Sequence, residues 1–276
     1  MESFCFKGNS GCKIEVLQGK ASVVVRKHSS GADYNSRLAV QATKQARLLS
    51  ALSSSDFIAP KVLSIGEDYF DMDFFHGKDM ISHFSSCGKD SIVNFCKIIL
   101  DFINVEIQNS SLELFHKCAF LDKFYKLKPA LESVDAARIE SYFNNLPTIM
   151  IPHGMCHGDL TLSNMLVNKL EDQICLIDFL DTFYETPLQD VVKLRQDTKY
   201  MWSMLFYNHE HDSTRYKIVM AYIDEQLEKH ISDQKWYQTY YRPFQMMNFL
   251  RIVPYSSGKK RDFVIRQIGT MVNEWT

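Results

Sequence analysis

The chain shows no excess of either charge, no paired cysteine spacing and no long apolar run. Its 31 Lys and Arg residues nearly balance 33 Asp and Glu, for a formal net charge of -2 over 276 residues. That balance gives neither nucleic acid nor an anionic membrane an electrostatic reason to be the main partner. The seven cysteines (Cys5, Cys12, Cys87, Cys96, Cys118, Cys156, Cys175) are odd in number, form no C-x-x-C pair and lie mostly in apolar segments. Such usage predicts reduced core thiols in a cytoplasmic protein rather than a disulfide framework. The best apolar run, residues 92–105, is broken by Lys97 and Asp101, so no membrane span is expected. The first residues lack a basic stretch followed by an apolar one, and no secretion signal is read there. Repeats and low-complexity tracts are missing too. With 46% hydrophobic residues, the chain can bury a core in one large domain or two modest lobes.

Runs with β-branched and aromatic residues at 14–17, 21–26 and 69–75 read as strands of a small sheet. Between the last two, Ala39, Ala42, Ala46, Leu49 and Leu52 recur at helical spacing, so residues 37–52 read as one helix laid on that sheet. From Asp90 the pattern turns helical: Ile92, Phe95, Cys96, Ile99 and Ile103 share a face, and residues 137–146 form a second helix ahead of Pro147. The change of pattern falls at His76-Gly77, which divides the chain into residues 1–75 and 76–276. Residues 165–167 and 174–178 read as a hairpin, and after Pro187 helices return at 216–230, 242–253 and 261–275.

The chemistry concentrates in His157-Gly158-Asp159-Leu160-Thr161-Leu162-Ser163-Asn164, followed by Ile177-Asp178-Phe179. An aspartate, an amide five residues on and a second aspartate ending an apolar run are what kinase-type phosphoryl transfer needs: one base and two oxygen ligands for Mg²⁺. Asp159 orients the acceptor hydroxyl and takes its proton late. Removing that proton beforehand, from a pKa of about 15.7 to a carboxylate of about 3.9, would cost roughly 16 kcal/mol. Asn164 and Asp178 supply the hard oxygen donors that Mg²⁺ favours.

On these residues the chain resembles the aminoglycoside phosphotransferase and choline kinase-like family, small-molecule relatives of protein kinases, with a similar order of elements over nearly its whole length. The resemblance implies an α+β, protein-kinase-like bilobal fold: an N-terminal antiparallel-sheet lobe with one helix, then a larger, mainly helical lobe, with ATP between them. It makes Asp159 the catalytic aspartate, Asn164 and Asp178 the metal ligands, His157 an organiser of the loop and Asp190 an acid that braces the loop from the next helix. Gly8, Asn9, Ser10 and Gly11 would form the turn over the ATP phosphates, or an ordinary hairpin turn. Lys27, with Arg26 as the alternative, would meet the α- and β-phosphates. Asp73 and Phe75 lie in the stretch, residues 72–77, that would hold adenine by its backbone.

One departure stands out. Protein kinases, and many of their relatives, pair the strand's basic residue with a helix glutamate, yet residues 37–52 contain no Asp or Glu, so Gln41 or Gln45 has to serve. This motivates a competing reading, a kinase-fold nucleotide-binding protein with little turnover. A protein kinase is a third reading. It is disfavoured because Gly158 stands where protein kinases carry an arginine, only eleven residues separate Asp178 from Asp190, and no A-P-E sequence follows.

The acceptor is therefore expected to be a small molecule. Residues 196–276 carry nine acids against eleven Lys or Arg, which is not an acidic trap for a polycationic aminoglycoside. The aromatics of that span (Tyr200, Trp202, Tyr207, Trp236, Tyr237, Tyr240, Tyr241) have helical spacing and read mainly as core. A sugar or related metabolite is favoured, with a choline-like alcohol as the alternative. His209-Glu210-His211 lacks a third ligand nearby and reads as an exposed turn.

Overall fold

A computed structural model describes residues 3–7, 12–19, 22–51, 57–168 and 173–274. The first strands are β1 (Ser3–Lys7), β2 (Lys13–Gln18) and β3 (Val23–His28), and helix α1 (Asn35–Ala51) follows them. Next come β4 (Phe57–Ile58), β5 (Val62–Ile65) and β6 (Tyr69–Asp73). Five of these strands form an antiparallel sheet in the order β1-β2-β3-β6-β5, with α1 laid against β5 and β6. Leu38 and Ala42, one helical turn apart on α1, pack on Phe70 and Met72, which alternate on β6. Val25, Tyr34 and Val62 pack at the margin of this small core. The expected mixed N-terminal region is present, with β1 and β5 added to it.

Strand β4 leaves that sheet. It pairs in parallel with β11 (Gln173–Leu176), which continues through β10 (Met165–Asn168) to β7 (Lys78–Asp79). The β10–β11 hairpin is the one expected from sequence, although β11 stops at Leu176, short of Asp178. Helices α2 (Met80–Phe84) and α3 (Lys89–Gln108) come next; Phe95, Cys96, Ile99 and Ile103 of α3 are buried as their spacing predicts.

The expectation of helices alone in this region needs correcting. Strand β8 (Ser111–Phe115) pairs antiparallel with β9 (Ile149–His153) around helices α4 (Cys118–Leu127) and α5 (Ala136–Asn144). The ribbon is two strands wide and exposes Leu112, Leu114 and Met150, so its apolar alternation gave no one-sided signal to read. Helices α6 (Pro187–Tyr200), α7 (Ser213–Ile231), α8 (Lys235–Ile252) and α9 (Gly258–Asn273) complete the fold. Thr186 caps α6 and Pro187 occupies its first turn, where no N–H partner is lost.

Within the large core, an aromatic cluster joins β8, α4, α5 and α8: Phe115, Phe120, Phe143, Tyr240 and Phe244 stack or meet edge to face. Trp236, Tyr237 and Tyr240 are buried in it, in line with the reading of the aromatics as core. Cys12, Cys96, Cys156 and Cys175 are buried and unpaired, whereas Cys118 is exposed, contrary to the expectation of core thiols there. Among the described residues no helix is long and apolar enough to cross a membrane.

Candidate active site

The loop from Cys156 to Asn164 is fixed before any ligand is considered. Gly158 has φ +89, and a Cβ there would lie 2.3 Å from the Leu180 carbonyl oxygen. Both the backbone angle and the close approach call for glycine. His157 and Gly158 donate their backbone N–H groups to the two carboxylate oxygens of Asp190, the latter at 2.7 Å. Asp190 is completely buried, and these bonds account for its place at the start of α6.

The His157 ring lies between loop and hairpin. Its Nε2 donates to the Ile177 carbonyl at 2.9 Å, while Nδ1 accepts the Asp159 N–H at 3.2 Å. That pair of bonds requires the neutral, Nε2-protonated ring, and burial lowers the ring's pKa in the same direction. Behind the loop, Glu106 of α3 accepts from the His157 N–H at 3.3 Å. Burial, and then the Asp190 carboxylate, push Glu106 well above the usual carboxylate range.

Asp159 faces two partners. Asn164 donates its amide to Asp159 Oδ2 and to the Asp159 carbonyl, both at 2.9 Å, and Lys193 Nζ sits 2.9 Å from Oδ1. Burial raises the pKa of Asp159, but the charge and hydrogen bond of Lys193, with help from His157 and Asn164, outweigh it and hold the carboxyl below its ordinary value. Asp159 is thus an ionised acceptor at neutral pH. With its amide nitrogen committed to Asp159, Asn164 has its amide oxygen left for a cation.

The second aspartate, two residues past the hairpin, has an unusual conformation. Asp178 has φ +61, a left-handed backbone that costs a non-glycine residue roughly 1 kcal/mol and that Asp tolerates better than most. Lys27 of β3 reaches it: Nζ lies 2.5 Å from Asp178 Oδ1 and 2.9 Å from Gln41 Oε1 of α1. Lys27 is buried, and Gln41 is fixed in turn by donating to the Tyr34 hydroxyl at 2.8 Å. The structure thus separates the pairs left open by sequence. Arg26 points to the other face and forms a two-bond pair with Asp71 at 2.7 and 2.9 Å. Gln45 donates to the Pro60 carbonyl instead.

The other expected contact residues are scattered in outcome. Gly8, Asn9, Ser10 and Gly11 lie outside the described residues. Phe75 lines a cleft of about 470 Å³ with Phe74, His76, Gly77, Lys78 and Val167, beside the β10–β11 hairpin. Asp73 is exposed at the end of β6, and its backbone N–H is already given to the Lys61 carbonyl. His211 Nδ1 meets the His209 carbonyl on an exposed turn, and among the described residues no three His, Cys, Asp or Glu side chains gather as a metal site.

Sequence reasoning overlooked most of what α6 does. Asp190, Lys193 and Asp197 are spaced i, i+3 and i+7, which puts them on one face of the helix. Asp190 takes the N–H groups of residues 157 and 158, Lys193 pairs with Asp159, and Asp197 accepts the Leu162 N–H at 2.6 Å and the Ser203 hydroxyl at 2.9 Å. Burial pushes Asp197 up to about 6 despite those donors. Three charged residues on one face of a helix otherwise buried along nearly its length were the available signal.

Two layers of similarity agree with this geometry. The sheet with one helix, the second region rich in helices and the loop between them make a protein-kinase-like fold. Residues 117–222, which include the whole loop from Cys156 to Asn164, match the model of the phosphotransferase enzyme family, so the resemblance read from residues 156–179 is borne out. The fold is also that of a thermostable mutant of aminoglycoside phosphotransferase APH(4)-Ia in ternary complex with ADP and hygromycin B, at TM-score 0.66 and 12% identity, covering 99% of this chain and 93% of that one. The choline kinase LicA from Streptococcus pneumoniae is similar at TM-score 0.62 and 12% identity, over 99% and 94% of the two chains. An ethanolamine kinase from Plasmodium vivax follows at TM-score 0.57 and 14% identity, over 98% and 81%. Comparison with curated proteins by sequence finds no match.

Proposed function

We propose that this chain is an ATP-dependent phosphotransferase that moves a γ-phosphoryl group to a hydroxyl of a small molecule, working as two lobes, residues 1–75 and 76–276, in the cytoplasm. The observation that carries the reading is the convergence of β3, the loop and the segment after the hairpin: Lys27 on Asp178 at 2.5 Å, and the Ile177 N–H on the Asn164 carbonyl at 3.0 Å.

Asp159 accepts the hydrogen bond of the acceptor hydroxyl and takes its proton as the bond to phosphorus forms. Its depressed pKa suits orientation and late proton acceptance rather than prior deprotonation. Lys27, freed in part from Asp178, neutralises phosphate oxygens while its ammonium keeps its hydrogen bond to Gln41 Oε1. The oxygens of Asn164 and Asp178 fit a hard divalent cation and would hold Mg²⁺, whose chemistry there is to neutralise charge on the phosphates. The cleft at residues 74–78 suits the adenine ring, between the backbone of the linker and Val167.

The proteins of similar fold named above, an aminoglycoside phosphotransferase, a choline kinase and an ethanolamine kinase, support the reaction class. For this chain the expected result is that Asp159→Ala binds nucleotide with Mg²⁺ as well as the parent does while turnover falls at least about a thousandfold. A parent protein that binds no Mg²⁺-nucleotide by calorimetry would refute the proposal. Cellular function that survives Asp159→Ala would favour the binding-protein reading instead.

A further inference from the structure

We propose that the phosphoryl acceptor is an acid: a small hydroxylated molecule with a carboxylate or phosphate group close to the hydroxyl that reacts. The inference rests on the phosphotransferase reading and names the substrate class of that same site.

Separate helices bring cations near Asp159. Lys193 of α6 touches Asp159 directly. Arg251, near the end of α8, lies close enough to Asp159 and Asp181 to interact with both carboxylates, and Lys260 of α9 is similarly close to Asp159 and Lys193. Lys123 of α4 completes the group, near Arg251 and Asp181. The carboxylates within reach are already engaged. Asp159 holds Lys193, and Asp181 receives three hydrogen bonds from Arg37 at 3.0 to 3.2 Å.

The cations left over are therefore under-matched. Nη1 of Arg251 is buried and has no hydrogen-bond partner among the described residues. A guanidinium donor shut away from water without an acceptor is unusual in a folded protein, and its most economical explanation is a ligand oxygen. Lys260 rests over the rings of Trp202 and Phe206, at 5.1 and 5.2 Å, rather than on a carboxylate. Burial lowers the pKa of Arg251, Lys260 and Lys123 alike; neighbouring cations add to it at Lys260 and Lys123, whereas Asp159 and Asp181 oppose it at Arg251. An anion placed among them would relieve both the repulsion and the missing acceptor. The planar fork of arginine matches carboxylate and phosphate equally well. A polycationic or quaternary ammonium acceptor would instead meet like charge.

The test pairs acceptors that differ in the acid group alone. Glycerate and glycerol 3-phosphate are set against glycerol, and gluconate against glucose, with choline and kanamycin as cationic controls. ADP release is measured with Mg²⁺-ATP, and nucleotide binding is followed separately by calorimetry. The expected result is at least about a tenfold advantage in kcat/KM for an acidic member over its neutral twin. The carboxylate and phosphate arms tell the two sources of negative charge apart. Arg251→Met should raise KM for that acid about tenfold or more with a smaller change in kcat, and Arg251→Lys should recover part of the loss. Lys260→Gln, at a partly exposed position, should act in the same direction if Arg251→Met does not fold. Nucleotide binding with neutral or cationic acceptors used as well as acids, or with no acid used at all, overturns the inference and leaves the reaction class standing. No nucleotide binding overturns both.

Discussion

Replacing Lys193 by methionine removes the charge that keeps Asp159 ionised while retaining side-chain length. The pair is 2.9 Å apart, with side-chain exposures of 13% for Lys193 and 21% for Asp159. At an effective dielectric constant of about 20 the attraction at that distance is roughly 6 kcal/mol before the desolvation of either group is counted. Removing one partner of a buried pair costs about 3 to 5 kcal/mol net, and the residual exposure here places the loss near 3 kcal/mol. At about 2 to 4 °C per kcal/mol, Tm should fall by roughly 6 to 12 °C near neutral pH. The sign of the pH dependence follows from the depressed carboxyl. A folded-state pKa below the unfolded one gives stability that is present above the unfolded value and lost as pH falls through the folded value. The gap in Tm between parent and variant should therefore be widest near pH 7 and close in acid. In the variant, burial acts on Asp159 without opposition from Lys193, so the acid limb of kcat/KM moves to higher pH. Differential scanning fluorimetry and a rate profile from about pH 4 to about pH 8 read both effects. A Tm that drops equally at every pH, with an unmoved acid limb, would mean that Lys193 contributes packing alone, and the electrostatic argument would fail.

Gly158→Ala puts a Cβ 2.3 Å from the Leu180 carbonyl oxygen at φ +89. Backbone has to move, and denaturant unfolding should show a loss above about 2 kcal/mol together with a drop in turnover. Asp190→Asn keeps one acceptor oxygen and turns an N–H₂ toward a backbone N–H of residues 157 and 158. The orphaned donor costs about 2 kcal/mol, and kcat should fall far more than the affinity for Mg²⁺-nucleotide, as rapid kinetics and calorimetry would show. Equal losses in kcat and nucleotide affinity would mean that Asp190 does more than hold the catalytic loop.

The proposed catalytic loop and the hairpin were legible because their chemistry is packed into a short stretch of chain, residues 157–178, where spacing is geometry. Strand alternation also served: with Arg26 on Asp71, its neighbour Lys27 had to face the other way, toward Asp178. What long-range packing decides was not legible. Lys193 comes to Asp159 from 34 positions on, by way of a helix face. Counting charge over residues 196–276 averaged away the fact that matters, which is that Arg251 and Lys260 lie near Asp159 while acids such as Glu225 and Asp224 pair elsewhere, on Lys229 and Arg195. Strands of two to five residues, β4 and β8 among them, are specified by partners about 40 or more than 100 residues away rather than by their own composition.

The acid-free helix has a structural reason. On α1, Gln41 serves Lys27, and Arg37 and Lys44, one turn before and after it on the same face, reach the stretch that follows Asp178. Lys44 is buried, with Nζ 2.7 Å from Glu185 and 2.6 Å from the Leu180 carbonyl, and Arg37 binds Asp181. Leu48, further along the same helix, packs with Phe57 in the large core rather than in the small one. The segment that follows Asp178 is itself held, since Glu185 also accepts from the Thr182 N–H at 3.1 Å and hydroxyl at 3.0 Å. An acid at position 41 would add negative charge beside Asp178, already the close partner of Lys27. A lysine–glutamate pair between sheet and helix is therefore replaced by two cation–carboxylate pairs between helix and the stretch after Asp178. The neutral Gln41 then has only to steer Lys27, because the position of α1 is set from residues 180–185. Missing charge at position 41 is for this reason no sign of a loosened site: the helix is fixed by more contacts than a single glutamate would supply, and they end on the same segment whose Leu180 carbonyl forces glycine at 158.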